Sequence, residues 1–242
     1  MSGNNGELHK GHRKRMKEQF LAKGLEIFSD HQALELLLFY AIPQGDTNEL
    51  AHIILNEFGG RLCDVIDADP AKLCSLPGIS MHTAVLLKLI PQFMSRYRIS
   101  GFKRDTEGIR CGTDDLCEYF SGIFCGITTE EIHVAALNAD LRPIRECRIA
   151  FGSFGNVNLS PRRLVDFSTE CMSNRLILAH NHPGHSFIAS RCDMETTRDL
   201  IYILGRMDIE LVDHIIIGTE GGNSMRSSVF SKKIWDEARD MI

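Results

Sequence analysis

The stretch that decides the fold, residues 176–193, reads LILAHNHPGHSFIASRCD. Its first four residues are apolar, like a buried β-strand, and the strand leads into His180 and His182. Residues two apart on a strand point to the same side, with Cα atoms about 6.6 Å apart, so the two imidazoles can converge on one metal ion. Ser190 predicts the start of a helix that delivers Asp193 as a third ligand. Two imidazoles and one carboxylate leave a fourth position for water, as in catalytic zinc sites.

The same residues also fit a purely structural interpretation, a helix start with Ser190 as the capping residue and Asp193 in the first turn. The two interpretations are compatible, because a capped helix start is a rigid way to present a carboxylate. Two other residues of the stretch are not assigned to the site. We interpret His185 as a loop residue and Cys192 as an ordinary thiol, since the sequence places no ordered base beside it.

The order His-x-His, seven residues and Ser-x-x-Asp resembles the signature of the JAMM (JAB/MPN) zinc metalloproteases. It resembles the RadC family more closely, since RadC proteins carry His-Asn-His-Pro, a short loop and Ser-x-x-Asp. The residues that stand at the family spacing are His180, Asn181, His182, Pro183, Ser190 and Asp193. The loop departs from the family pattern of Ser-Gly after the first Pro and a second Pro before the Ser, because this chain has Gly184, His185 and Ala189 there. The departure concerns loop shape and substrate fit rather than metal binding.

The resemblance implies a zinc-dependent metallopeptidase or isopeptidase. Its Zn²⁺ ligands would be His180, His182 and Asp193. Ser190 would help to stabilise the oxyanion, a contribution typically worth a few kcal/mol per donor. Because zinc lowers the pKa of a bound water to about 7, the remaining requirement is a base that takes the water proton and passes it to the leaving nitrogen.

The base implied by the resemblance is a glutamate at the start of a Glu-x-Phe-like strand upstream of the histidines. Glu131 matches this position, with His133 in place of the usual aromatic residue, and it is the predicted base. Glu130 is the rival by one position, and its side chain would face the opposite side of the strand.

Other residues near the motif are predicted to act indirectly. Asn181 lies between the two histidines and faces away from them on a regular strand, so we expect it to support the site or the fold. Asp213 and His214 match another RadC sequence feature, and we interpret them as a structural pair.

The composition is that of an ordinary globular protein, with 242 residues, 43% of them hydrophobic and 24% charged. No run of about 18 apolar residues predicts a membrane span, and the polar N-terminus lacks the apolar core of a secretory signal. We therefore expect a cytoplasmic protein without a membrane partner. The eight cysteines form no Cys-x-x-Cys pair, which argues against a separate structural zinc site and favours reduced thiols.

Helical spacing and helix-cap signals predict an all-α domain over residues 1–99, a polar linker over residues 100–110 and a second domain over residues 111–242. In the first domain, residues 76–80 (LPGIS) join a short helix to a long one, which Pro91 is expected to kink or interrupt. This unit resembles a degenerate helix-hairpin-helix, since a serine replaces the second glycine of DNA-binding members. We favour a packing module over a DNA-binding one.

In the second domain, interspersed strands and helices predict a JAMM/cytidine deaminase-like mixed sheet covered by helices, so the whole chain is predicted to be α+β. Besides the His180 strand, the predicted strands cover residues 131–138, 141–151, 210–217 and 225–230. The predicted helices cover residues 113–120, 160–171 and 190–206, followed by a terminal helix that Ser231 caps and that holds Trp235.

Three functions are open at this point. The leading hypothesis is a zinc hydrolase that acts on a peptide or an isopeptide-linked protein. The second is a DNA repair or recombination factor whose helical domain binds DNA through the basic run at residues 9–17. The third is an interaction scaffold without catalysis. The net charge of -5 and the acidic C-terminal half give no broad surface for nucleic acid.

Overall fold

The structure, a computed structural model, describes residues 11–105, 111–152 and 159–239. It divides the chain into two compact units, residues 1–92 and residues 93–242. The first unit is helical, and the second contains a five-stranded mixed sheet with helices. The predicted α+β fold with an N-terminal helical part is therefore confirmed. Within the described ranges, no helix is both long enough and apolar enough to cross a membrane.

Six helices begin in the described residues of the first unit, and two of them start at aspartate side-chain caps that the sequence predicts. The six helices are α1 (His12–Lys23), α2 (Asp30–Ala41), α3 (Thr47–Glu57), α4 (Leu62–Asp67), α5 (Pro70–Cys74) and α6 (Met81–Asp105). Asp46 Oδ1 accepts the Asn48 N–H at 2.9 Å and starts α3. Asp69 Oδ1 accepts the Ala71 N–H at 2.7 Å and starts α5. The core of the unit contains fully buried apolar side chains, among them Leu34, Leu38, Ile54, Leu73 and Leu87.

The described part of the basic run lies at the start of helix α1. The Arg13 guanidinium donates to the carbonyl oxygens of Ile42 at 2.8 Å, Pro43 at 2.9 Å and Gly45 at 2.9 Å. These bonds satisfy carbonyl groups that follow the end of α2. Arg13 therefore holds a loop of its own unit. The first two residues of the predicted run lie outside the described residues.

Helix α6 takes up the first part of the predicted linker. It passes Pro91 without ending, so this proline does not interrupt the helix. Residues 100–105 are helical rather than linker, because Phe102 is buried and its ring centroid lies 5.1 Å from that of Tyr119. The compact units divide between residues 92 and 93, whereas the sequence-based boundary follows residue 99. The rest of the predicted linker, residues 106–110, lies outside the described residues.

The second unit is organised around a mixed sheet with the strand order β2-β1-β3-β4-β5. Its strands are β1 (Glu131–Leu137), β2 (Pro143–Phe151), β3 (Arg175–Asn181), β4 (Glu210–Gly218) and β5 (Gly221–Ser224), and its further helices are α7 (Thr113–Ile123), α8 (Pro161–Glu170), α9 (Arg191–Gly205) and α10 (Lys233–Arg239). Strand β1 pairs antiparallel with β2 and with β3. Strands β3 and β4 are parallel and are joined through α9, as parallel neighbours require.

The two faces of the sheet pack against different helices, and the side chains of each strand alternate between them. Buried residues on the first face, here called the α9 face, include Ile132, Val134, Leu176, Leu178, Leu200, Leu204 and Trp235. Buried residues on the second, the α7 face, include Phe120, Ala135, Leu137, Ile177, Ala179 and Ile215. In the register of β1 with β3, Ile132 lies opposite His180. Because directly opposed residues share a face, His180 points toward α9.

The C-terminal end of the sheet differs from the prediction in two ways. The strand predicted over residues 225–230 is wrong, because β5 is Gly221–Ser224 and the chain turns after it. The glycines of β5 lower its strand propensity, so the sequence carries no strand signal there. The predicted cap of the terminal helix is also wrong. The Ser231 hydroxyl donates to Met225 O at 2.7 Å, and α10 begins two residues later at Lys233.

Two isoleucines on β2 test this assignment of faces. Ile149 is 4% exposed and packs on the α9 face, whereas Ile144 is 54% exposed. We expect Ile149→Ala to lower the free energy of unfolding by about 2–5 kcal/mol, because it leaves a cavity in the core. Ile144→Ala should cost about 1 kcal/mol or less. Urea unfolding followed by circular dichroism measures both losses, and equal losses would contradict the assignment.

Candidate metal centre

Three side chains meet where strand β3 ends and helix α9 begins. The His180 Nε2 atom lies 2.8 Å from His182 Nε2 and 3.5 Å from Asp193 Oδ1. His182 Nε2 lies 3.8 Å from Asp193 Oδ2. Only 3% of the His180 side chain, 15% of His182 and 4% of Asp193 is exposed. The structure thus brings together the three residues that the sequence analysis predicts as ligands.

The three donors suit a small divalent cation. Zinc–nitrogen bonds of about 2.0–2.1 Å in a tetrahedral site place ligand atoms about 3.3 Å apart. The separations of His180 Nε2 from His182 Nε2, 2.8 Å, and from Asp193 Oδ1, 3.5 Å, lie on either side of that value. Three protein ligands leave one position for water or substrate, which is the arrangement of catalytic zinc sites. Imidazole and carboxylate also bind Fe²⁺ and Mn²⁺, so the donor set fits zinc without being specific for it.

Helix α9 presents Asp193 through a reciprocal capping box. The Ser190 N–H donates to Asp193 Oδ2 at 2.7 Å, and the Asp193 N–H donates to Ser190 Oγ at 3.1 Å. The capping and ligand interpretations of this segment are compatible in the structure, because the cap uses Oδ2 while Oδ1 is the oxygen that pairs with His180. Since Ser190 Oγ accepts in this box, its own proton remains available for donation.

His182 is held by the loop that follows it. Its backbone N–H donates to Ile217 O at 2.8 Å, which extends the pairing of β3 with β4 by one residue. Its Nδ1 atom lies 2.9 Å from Ser186 O, and because a carbonyl oxygen can only accept, Nδ1 carries the proton. The lone pair of the neutral ring is then on Nε2, the atom nearest His180 and Asp193.

His180 is contacted from behind by His214, which the sequence analysis does not place in the site. The His180 Nδ1 atom lies 2.8 Å from His214 Nε2, and both side chains are buried. Burial lowers the pKa of His180 to about 4 and lowers the pKa of His214 well below its usual range. Both rings are therefore neutral at neutral pH, which is the form that binds a metal.

Asp213, the other half of the predicted structural pair, binds the turn after β5. Its Oδ1 accepts the Arg226 N–H at 3.0 Å, and its carboxylate also accepts the Ser224 hydroxyl. Burial raises the pKa of Asp213. Asp213 therefore has contacts that fit the structural role given to it by the sequence analysis, whereas His214 borders the candidate metal centre.

Glu131, the predicted base, is not brought to the three ligands. It precedes Ile132 on β1 and so faces α7, on the other side of the sheet. Its Oε2 lies 2.9 Å from His133 Nε2, and its Oε1 accepts from Arg148 Nη1 at 3.2 Å. His133 also hydrogen-bonds Glu146 through its other ring nitrogen. Glu131 thus belongs to a charged cluster on the reverse of the sheet.

Glu130 directly precedes Glu131 and strand β1. Its carbonyl oxygen accepts the Gly152 N–H at 2.8 Å, which extends the pairing of β1 with β2 to this residue. Continued alternation directs the Glu130 side chain to the α9 face, where His180 lies. The sequence pattern does not distinguish the two glutamates, because a Glu-x-apolar pattern also fits Glu130 with Ile132. Only the strand register shows which glutamate shares a face with His180.

Asn181 fixes the backbone on both sides of Glu130. Its Oδ1 accepts the Glu131 N–H at 2.7 Å, and its Nδ2 donates to Thr129 O at 2.9 Å. The side chain is buried and lies on the opposite side of β3 from His180, in agreement with the regular strand that the sequence predicts. Asn181 therefore connects the strand of the ligands to the start of β1.

Comparison with known proteins gives the family. The protein-family model described as "RadC-like JAB domain" matches residues 111–230. This chain contains a RadC-like JAB domain at residues 111–230. It is 29% identical over 214 residues to the UPF0758 protein FN0909 of Fusobacterium nucleatum subsp. nucleatum, an alignment that covers 86% of this chain and 92% of that protein. The RadC resemblance predicted from the motif is confirmed.

The loop in which this RadC-like chain departs from the family pattern lies directly on the end of β4. A Cβ atom at Gly218 would stand 2.6 Å from Phe187 N and 2.7 Å from His185 O, closer than real Cβ contacts. The missing side chain at Gly218 thus allows the loop backbone to reach β4. It is this loop that places Ser186 O beside the His182 ring.

We expect Gly218→Ala to displace this loop, because backbone atoms cannot yield as the end of a flexible side chain does. The free energy of unfolding should fall by about 1–3 kcal/mol. The His182 Nδ1–H signal in NMR spectra of histidine-labelled protein should shift, since Ser186 O moves.

Gly101→Ala is the matched control for this substitution. Gly101 lies in helix α6, and an added Cβ there has nothing within 4 Å. This control should be neutral or stabilising by up to about 1 kcal/mol, because alanine has the higher helix propensity. An unchanged His182 signal in Gly218→Ala would contradict the role given to the glycine.

Proposed function

We propose that this RadC-like chain is a metal-dependent hydrolase that cleaves an amide bond, as a zinc metallopeptidase or isopeptidase. The observation that carries the proposal is the convergence of His180 Nε2, His182 Nε2 and an Asp193 carboxylate oxygen. Two imidazole lone pairs and a carboxylate held this close repel one another, and a cation between them turns the repulsion into attraction. The match to a JAB domain supports the same reading.

Each part of the reaction has a residue with suitable chemistry. A zinc ion bound by His180, His182 and Asp193 would supply a Lewis acid and lower the pKa of a bound water to about 7. Glu130 would take a proton from the attacking water and give it to the leaving nitrogen. The Ser190 hydroxyl would donate to the developing oxyanion.

We assign the role of base to Glu130 rather than Glu131 for two reasons: the face of the sheet on which each side chain lies, and the partners that each side chain has. Both oxygens of the Glu131 carboxylate are already engaged, Oε2 by His133 and Oε1 by Arg148, so neither is directed at a water on the candidate metal centre. Glu130 is half-buried, and its side chain makes no hydrogen bond or ion pair with any part of the chain that the structure describes. The two bonds from Asn181 hold the backbone on either side of it.

The substrate class comes from the family resemblance, which implies an amide bond in a peptide or in an isopeptide-linked protein. Residues 183–189 border the ligands and depart from the family pattern. We therefore assign substrate fit to this loop and metal binding to the residues on either side of it.

Two other functions from the sequence analysis compete with hydrolysis. A scaffold would bind the ion without cleaving an amide. A DNA-binding factor would use the helical unit, but Arg13 is engaged there by three carbonyl oxygens, and no observation of the described residues favours DNA specifically. We therefore keep hydrolysis as the proposal and treat the scaffold as an outcome of the tests below.

The purified protein should contain about one zinc ion per chain. His182→Ala and Asp193→Asn should each lower zinc affinity by more than the roughly 10–100-fold typical of a change outside the ligand set, because each removes a ligand. His185→Ala is the control, since His185 is exposed in the same loop and is not part of the cluster. Elemental analysis and competition with a chelator measure the effect.

The proposed metal centre is rejected if wild-type protein purified without chelators contains no transition metal and takes up none when it is reconstituted with Zn²⁺, Fe²⁺ or Mn²⁺. Equal zinc loss in His185→Ala and His182→Ala would show that the ion is not held by the predicted ligands.

Glu130→Gln and Glu131→Gln form a matched pair that tests the assignment of the base. We expect Glu130→Gln to retain zinc and to reduce amide hydrolysis by about 10²–10⁴-fold, the usual contribution of a general base. Glu131→Gln should keep its turnover but lose about 1–3 kcal/mol of stability, because the buried contacts with His133 and Arg148 are weakened.

The measurements are hydrolysis of a panel of peptide amides and isopeptide-linked ubiquitin-like conjugates, zinc content and urea unfolding. The reverse pattern, with turnover lost only in Glu131→Gln, would return the role of base to Glu131. Zinc-loaded wild-type protein that cleaves nothing in the panel would favour the scaffold.

A further inference from the structure

A chain of buried polar side chains leads from His180 away from the ligand cluster. His180 Nδ1 lies 2.8 Å from His214 Nε2, and His214 Nδ1 lies 2.6 Å from Thr197 Oγ1. His214 and Thr197 are completely buried, among the apolar residues of the α9 face. Polar groups cost free energy in such surroundings unless they are paired, and here each one is. The chain is therefore a fully connected polar path inside an apolar core.

Metal binding through His180 Nε2 would give this path one direction. With its lone pair on Nε2, which faces His182 and Asp193, the neutral His180 ring carries its proton on Nδ1 and donates it to His214 Nε2. His214 then carries its own proton on Nδ1 and donates it to Thr197 Oγ1, whose hydroxyl has Met225 Sδ as an acceptor at 3.8 Å.

We propose that His214 and Thr197 are positioning residues for the metal ligand His180, and that they fix its tautomer and the orientation of its ring. The inference rests on the proposed metal centre and adds two residues to it. Outer-shell partners of this kind raise the basicity of the ligating nitrogen and orient it toward the ion. His182 has the equivalent partner in Ser186 O, so both ligand histidines present Nε2.

Helix α9 connects this path to the third ligand. Asp193 and Thr197 are four residues apart on α9, which places them on the same side of the helix, one turn from each other. One rigid element therefore supplies a ligand carboxylate and the hydroxyl that ends the path from His180. The position of α9 sets both at once.

The test uses the full chain and two substitutions of Thr197. Thr197→Val removes the hydroxyl and keeps the shape of the side chain, whereas Thr197→Ser keeps the hydroxyl. We expect Thr197→Val to lower zinc affinity by about 10–100-fold and Thr197→Ser to remain close to wild type. Thr83→Val is the control, because Thr83 is a buried threonine of the helical unit. Chelator competition measures affinity, and urea unfolding of each variant shows that it is folded.

A second measurement separates positioning from packing. In NMR spectra of zinc-loaded, histidine-labelled protein, His180 and His214 should both carry their proton on Nδ1. Thr197→Val should shift the His214 Nδ1–H signal, because the acceptor of that proton is gone, and Thr197→Ser should restore it.

Different results would overturn the positioning role of Thr197 and the proposed function. Thr197→Val with wild-type zinc affinity overturns the positioning role and leaves the metal centre intact. Equal losses of affinity in Thr197→Val and Thr197→Ser also overturn it, because they trace the effect to packing. Wild-type protein that binds no metal overturns the proposed function, and the positioning role with it, before any variant is compared.

Discussion

The pairing of Ile132 with His180 across strands β1 and β3 is the constraint on which the candidate site depends. It places His180 on the face of the sheet that α9 covers, and α9 is the helix that carries Asp193. The same register puts Glu131 on the reverse face, and alternation continued by one residue gives Glu130 the face on which His180 lies. A shift of one residue would exchange the two faces of β1, and the ligands would lose the base that the proposal gives them.

The meeting of the three candidate ligands could be predicted from the sequence because their geometry is local. His180 and His182 share a side of one strand by simple alternation, and the capping box that holds Asp193 spans only four residues. The base could not be assigned, because its face depends on pairing between strands distant in sequence. His214 was missed for the same reason, since only the parallel pairing of β4 with β3 brings it opposite Leu178 and next to His180.

The fold class and most of the helices and strands could be predicted from the sequence, whereas strand β5 and the end of helix α6 could not. Apolar periodicity and helix caps located most helices and strands, because each signal lies within the element itself. Strand β5 carries no such signal, since two of its four residues are glycine. The linker was misread because the burial of Phe102 against Tyr119, which is a tertiary contact, keeps residues 100–105 helical.

The capping box at Ser190 bears on whether the domain needs a bound ion in order to fold. One oxygen of Asp193 is bound by the start of its own helix, and the two histidines contact Ser186 and His214, so each candidate ligand has a protein contact of its own. Small zinc modules differ, because their chains fold only when the ion binds and the binding energy is folding energy. In this chain the sheet has apolar cores of its own on both faces. We therefore expect the domain to keep its shape when an ion at the proposed site leaves, returns or is exchanged for another.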